Sequence, residues 1–233
     1  MNRPLPGRVT IGSTDEIAGR VAAAIAEAGE EAVRARRVFH LGVSGGRTPI
    51  GVYRGWATRE FAGPPWERTE VWLADERAVP IDHPESNERA LRAAGLDTLG
   101  ATFHGYRRSG SNPVVGYARR LTRRVPLDDH ETPMLDAVLL GLGADGHTAG
   151  LFAGSPALES GEIMAHGTSP EGLARWTVTI RTLLAARALY FLVMGAHKSK
   201  ALQEPAAGPA GRLLGHPSIS WFLDEAAAFG IEP

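Results

Sequence analysis

Asp145, Gly146 and His147 sit inside the run LLGLGADGHTAGLF at 139–152. An imidazole stands two residues from a carboxylate, in a glycine turn that follows an apolar segment. Histidine titrates near neutrality, so it can take a proton from water and give it back. If the apolar segment is a strand of a parallel sheet, the turn falls outside its carboxyl end, where open α/β sheets keep their active sites. Gly141-x-Gly143-x-x-Gly146 also matches the dinucleotide fingerprint. Against that, the Asp145 carboxylate would face and repel a pyrophosphate. A histidine bonded to backbone at a helix start is the structural alternative for His147; the neighbouring glycines and Asp145 tip the balance toward function.

Further segments carry residues of the same kind. GVSGGRTP at 42–49 follows an apolar run and precedes a helical one. Its glycines let backbone N–H groups approach a ligand, a helix N-terminus adds partial positive charge, and Ser44 and Thr48 add hydroxyls, which suits a phosphate. An ordinary strand-to-helix turn is the alternative. Gly42-x-Ser44-x-Gly46 also fits a serine-hydrolase nucleophile elbow, but it comes very early in the chain, and Asp145 and His147 share one turn instead of separate loops. ADERAVP at 74–80 offers Arg77 to fork onto a phosphate or carboxylate and Asp75 to accept from sugar hydroxyls; an ion-paired surface turn competes with that. Asp82 and His83 lack a third metal ligand in register. GAHKSK at 195–200 sets Lys198 at a helix start after a strand, within reach of an anion, or else simply in solvent. His40, His104, His130, His166 and His216 have no chemical context and read as structural or surface residues.

Bulk composition narrows the classes. The chain has 233 residues with 43% hydrophobic and 22% charged, enough for a sizeable core. Lys+Arg is 25 against Asp+Glu 26, a net charge of −1, so the whole-chain balance gives no footprint for nucleic acid or an anionic membrane. Cysteine is absent, which excludes disulfides, thiolate metal sites and a thiol nucleophile. MNRPLPGRVT lacks a signal-peptide core, and the apolar run ALYFLVMGA at 188–196 is too short to span a bilayer. The expectation is one cytoplasmic domain over 1–233 with no obligate protein partner.

The elements that must position these loops follow from period and punctuation. Helices are expected over Thr14–Arg36 with Ser13 or Thr14 capping, over Pro84–Ala94 with Ser86 or Asn87 capping, over Asn112–Arg124, after Gly195, and over Trp221–Phe229. Strands are expected over Val38–Val43, Val71–Ala74, Ala137–Leu140, Trp176–Ile180 and Leu189–Met194. Apolar runs alternating with amphipathic helices predict an α/β fold: a doubly wound, mostly parallel sheet with helices on both faces.

Taken in order, LGVSGGRTP, VWLADERAVPIDHPESN, LLGLGADGHTAGLFAGSPAL and FLVMGAHKSKAL resemble the 6-phosphogluconolactonase family across essentially the whole chain. The final WFLDEAAA resembles that family's C-terminal helix. The resemblance implies hydrolysis of a phosphorylated sugar lactone, 6-phospho-D-glucono-1,5-lactone, without cofactor or metal. It implies that Ser44, Gly45, Gly46 and Thr48 cradle the phosphate, with Arg77 and Lys198 adding charge. It makes His147 the general base, Asp145 its orienting partner, and Asp75 a residue that positions sugar or water. Departures from the family pattern are Arg47 for a serine, Gly150 for a serine, Ala153 for a proline, and Arg181 and Leu184 for a proline and an asparagine. The related amino-sugar-phosphate isomerase/deaminases resemble the chain too, but they carry a glutamate five residues after the turn histidine, where Phe152 stands here. A non-enzymatic sugar-phosphate sensor is the rival from another class.

Overall fold

The computed structural model describes residues 5–106 and 112–231. Ser13 opens the first long helix with a reciprocal capping box: its hydroxyl accepts from Glu16 N–H while the Glu16 carboxylate accepts from Ser13 N–H. That helix, α1 (Thr14–Arg36), follows strand β1 (Arg8–Gly12). The chain continues through β2 (Phe39–Val43), α2 (Arg47–Ala57), β3 (Thr69–Leu73), β4 (Asp75–Arg77), α3 (Asn87–Ala93), β5 (Thr102–His104) and α4 (Pro113–Arg124). Then come β6 (Ala137–Leu140), β7 (Met164–Thr168), β8 (Ala174–Val178), α5 (Ile180–Leu184), β9 (Leu189–Val193), α6 (Ser199–Gln203) and β10 (Ile219–Asp224).

Seven strands form one parallel sheet in the order β1-β10-β9-β6-β2-β3-β5. Every residue of β2 and β6 is buried, as expected for parallel strands covered on both faces. The chain runs outward from β2 through β3 to β5 on one side, and from β6 through β9 to β10 on the other. The order therefore reverses between β2 and β6, and a crevice opens there beyond the strand ends. Ser44 N–H donates to Leu139 C=O at 3.1 Å across that junction.

Two of the expected elements are placed differently in the structure. Trp221–Phe229 is not a helix: Trp221 to Asp224 belong to β10, and turns follow. Trp221, Phe222 and Leu223 are buried between β1 and β9, and pairing on both edges overrides the helix propensity of the alanines that come next. The strand near Trp176 is β8, beginning at Ala174, and it lies outside the main sheet. It forms a separate antiparallel sheet, β4-β8-β7, with Asp75 facing Thr177 and Arg77 facing Arg175. The strands β1, β4, β5 and β7 and the helix α5 lie outside the expected elements, and Ile180, expected at the end of a strand, opens α5. Among the described residues no helix is long and apolar enough to cross a membrane.

Candidate active site

The four segments singled out by sequence follow the carboxyl ends of β2, β3, β6 and β9, four strands adjacent in the sheet. They surround a cavity of about 430 Å³. Ser44, Gly45, Gly46, Thr48, Asp75, Arg77, His147 and Lys198 all line it. Asp145 does not; it stands behind His147, facing a smaller adjoining recess.

Asp145 Oδ1 lies 2.5 Å from His147 Nδ1 and accepts from His147 N–H at 3.2 Å. Burial pushes the Asp145 carboxyl up, but the bonds and charge of His147 outweigh it and hold the group below the usual carboxylate range. Gly143 has to be glycine for this pair to form. A Cβ there would come 2.0 Å from His147 Nδ1 and 2.4 Å from Asp145 Oδ1. Gly143 N–H donates to His147 C=O, and Gly146 N–H donates to Gly143 C=O. The amides of Gly143, Gly146 and His147 are thus used within the loop, and Thr148 bridges to Leu151 instead of starting a helix. This removes both the dinucleotide reading and the helix-start role for His147.

The β2–α2 loop turns at Gly46, whose φ of 98° is open to glycine without strain. No side chain caps α2, and its first turn carries no acidic residue. Tyr53 Oη donates to Ser44 C=O at 2.7 Å and pins the loop. Ser44 Oγ is buried and bonds to nothing among the described residues, so no base activates it as an elbow nucleophile would require.

Alternation along β4 divides its acids. Asp75 and Arg77 face the cavity, while Glu76 points away and is fully buried. Glu76 accepts from the N–H groups of Asn87 and Glu88 and from Ser86 Oγ, anchoring the start of α3. Burial raises the Asp75 carboxyl above its ordinary range, against the pull of Arg77. Burial and the nearby Arg77 lower the Arg175 guanidinium. Burial likewise lowers the Lys198 ammonium, with Asp145 opposing and Arg47 adding to the effect.

The structure adds residues that sequence reasoning missed. Arg175, 8% exposed, lines the cavity opposite Arg77. No local signal marks it, because its place depends on the β4–β8 register. Asn87 lines the cavity too; its amide donates to Asp75 C=O at 3.0 Å, and its Oδ1 is buried without a partner among the described residues. The sequence offers Asn87 itself only as a possible helix cap, a place that Ser86 takes by accepting from Arg89 N–H. Arg47 and His197 also line the cavity. Arg181 does not: it binds Thr132 Oγ1, Gly161 C=O and His130 C=O, tying loops together.

Residues 12–218 match the family model described as glucosamine-6-phosphate isomerases/6-phosphogluconolactonase. A 6-phosphogluconolactonase of Synechocystis is 34% identical, covering 92% of this chain and 90% of its own. A 6-phosphogluconolactonase of Homo sapiens is 32% identical, covering 98% and 95%. The solved 6-phosphogluconolactonase of Trypanosoma brucei superposes over 100% of both chains with a TM-score of 0.82 at 23% identity, a likeness of fold. The chain belongs to the glucosamine-6-phosphate isomerase/6-phosphogluconolactonase family.

Proposed function

We propose that the protein is a 6-phosphogluconolactonase, hydrolysing 6-phospho-D-glucono-1,5-lactone to 6-phospho-D-gluconate, the second step of the oxidative pentose phosphate pathway. The observation that carries this reading is a histidine paired with a carboxylate at the wall of a cavity otherwise rich in cations. Such a site supplies one proton acceptor and a seat for an anion, which is what a phosphorylated lactone needs.

Asp145 accepts a hydrogen bond from His147 Nδ1–H, leaving Nε2 to accept a proton from water. The resulting hydroxide adds to the lactone carbonyl. The ring C–O bond then breaks, and the imidazolium returns its proton to the departing ring oxygen. Asp145 stabilises that imidazolium while it lasts. A δ-lactone is an activated ester that opens without an enzyme, so one positioned base, typically ~10²–10⁴-fold, goes far. Ser44, Gly45, Gly46 and Thr48 cradle the phosphate with charge from Arg77 and Lys198, and Arg175 joins them. Asp75 positions the sugar or the water. Both sheets contribute to this cavity, which supports a single domain. A cysteine-free chain suits a reducing compartment, and we place it in the cytoplasm.

Phe152 weighs against isomerisation. It fills the position where the isomerase pattern has its glutamate, and it packs on His147 instead of extending a proton relay. The test is lactone hydrolysis, with product read through an NADP-linked 6-phosphogluconate dehydrogenase and the spontaneous rate subtracted. Wild type should accelerate the reaction, and His147→Ala should lose ~10²–10⁴-fold in kcat while keeping affinity for 6-phosphogluconate. No acceleration by wild type would sink the reading; turnover intact in the variant would remove His147 as base.

A further inference from the structure

A base must hold its ring in one plane, and the Asp145 bond does not secure that by itself. A hydrogen bond at Nδ1 fixes one edge of the imidazole, while χ2 of histidine is a broad torsion. Burial does not lock the pair either, since the His147 side chain is 32% exposed and that of Asp145 50%. The ring face of His147 meets Phe152, with centroids 4.3 Å apart and planes inclined by 33°. Phe152 itself is buried, and Ser155 N–H donates to its C=O in a turn that holds its backbone. The guanidinium carbon of Arg175 stands 5.7 Å from the same ring. One aromatic ring thus touches the base and approaches a cation of the cavity.

We propose that Phe152 is a positioning residue for the hydrolysis: its flat face sets the plane of His147, so that Nε2 is presented to the cavity, and its π-electrons face the imidazolium formed during turnover. The kinetic part of this inference rests on the lactonase reading. A leucine would fill much of the same volume but would offer neither a flat face nor a quadrupole. A tyrosine would restore both.

The experiment compares wild type, Phe152→Leu and Phe152→Tyr. Steady-state lactone hydrolysis should show kcat reduced roughly ten- to a hundredfold in the leucine variant, with KM and 6-phosphogluconate affinity changed by about twofold or less. Tyrosine should recover most of kcat. In parallel, the NMR order parameter of the His147 Cε1–H bond should fall in the leucine variant and return in the tyrosine variant. Thermal denaturation identifies a leucine variant that does not fold, and Phe152→Met, flexible and unflat, then takes its place. Unchanged kcat in a folded variant, or an unchanged order parameter, overturns the proposal. A raised KM with kcat intact would assign Phe152 to Arg175 and also overturn it. Loosening of His147 in a protein whose wild type does not accelerate lactone opening would sink the lactonase reading and the kinetic part of the proposal with it, leaving only that Phe152 sets the plane of the His147 ring.

Discussion

Asp75 shows at the scale of one residue how a site is kept at the expense of stability. The residue is 6% exposed, and burial raises its carboxyl above the ordinary range. The folded state therefore holds the proton at a pH where the unfolded chain has released it. Its contribution to stability is fully present below the unfolded value and is lost as pH rises through the folded one. Once that proton is lost, the buried charge costs stability. Asp75→Asn should accordingly raise Tm at pH 7 while lowering lactone turnover, with the gain in Tm shrinking as the pH falls into the carboxylate range. A neutral-pH Tm that drops would show that the carboxylate is net stabilising there. Residues of this kind were legible in the sequence because glycine and strand-end position mark them, as with Asp145-Gly146-His147 and Ser44-Gly45-Gly46. Arg175 was not legible. Nothing within LARWTVT distinguishes a cavity arginine from a solvated one; only its pairing opposite Arg77 does.

At the scale of elements, β10 was misread and turns out to serve the site. Its burial between two parallel neighbours leaves no two-residue alternation, and a continuous apolar run of this kind cannot be told from helix by period. Its last residue, Asp224, accepts from Gly195 N–H with both carboxylate oxygens, at 2.9 and 3.0 Å, and from Ala227 N–H at 2.7 Å. The carboxyl end of β10 thereby holds the turn that starts the segment bearing His197 and Lys198. Asp224→Ala leaves the buried Ala227 amide and the part-buried Gly195 amide without this acceptor, at a cost of about 1–3 kcal/mol. KM for the lactone should rise several-fold as Lys198 loosens, with kcat little changed because the Asp145–His147 pair sits on another loop. Parallel measurement of Tm and steady-state kinetics checks this; a collapse of kcat at unchanged KM would detach Asp224 from substrate binding. By contrast the strands β2, β6 and β9 were legible, since each is a short, mostly apolar run with a glycine within two residues of its end.

The whole molecule carries a net charge of −1, yet Arg47, Arg77, Arg175 and Lys198 converge on one cavity that also holds Asp75. The free protein bears the repulsion this creates. Arg77 and Arg175 face each other across β4 and β8, where like charges are destabilising. Arg47 stands at the positive end of α2, with no acidic residue in that turn to offset it. An anion of high charge relieves all of this at once, so binding and stability are linked. Saturating 6-phosphogluconate, at about 100 times its Kd, should add ~2.7 kcal/mol, or roughly 5–10 °C of Tm for a chain of this size. Gluconate without the phosphate should add little, and sodium chloride should erode the shift by screening. Arg47→Ser separates the two effects. Removing a cation from a helix N-terminus, and supplying a serine there, should leave the free protein as stable or more so, while the ligand-induced shift becomes smaller. Differential scanning fluorimetry at low and high salt reads both quantities in one titration. Equal shifts with gluconate and 6-phosphogluconate, or a variant whose shift matches wild type, would show that the convergence of cations is not what the ligand uses.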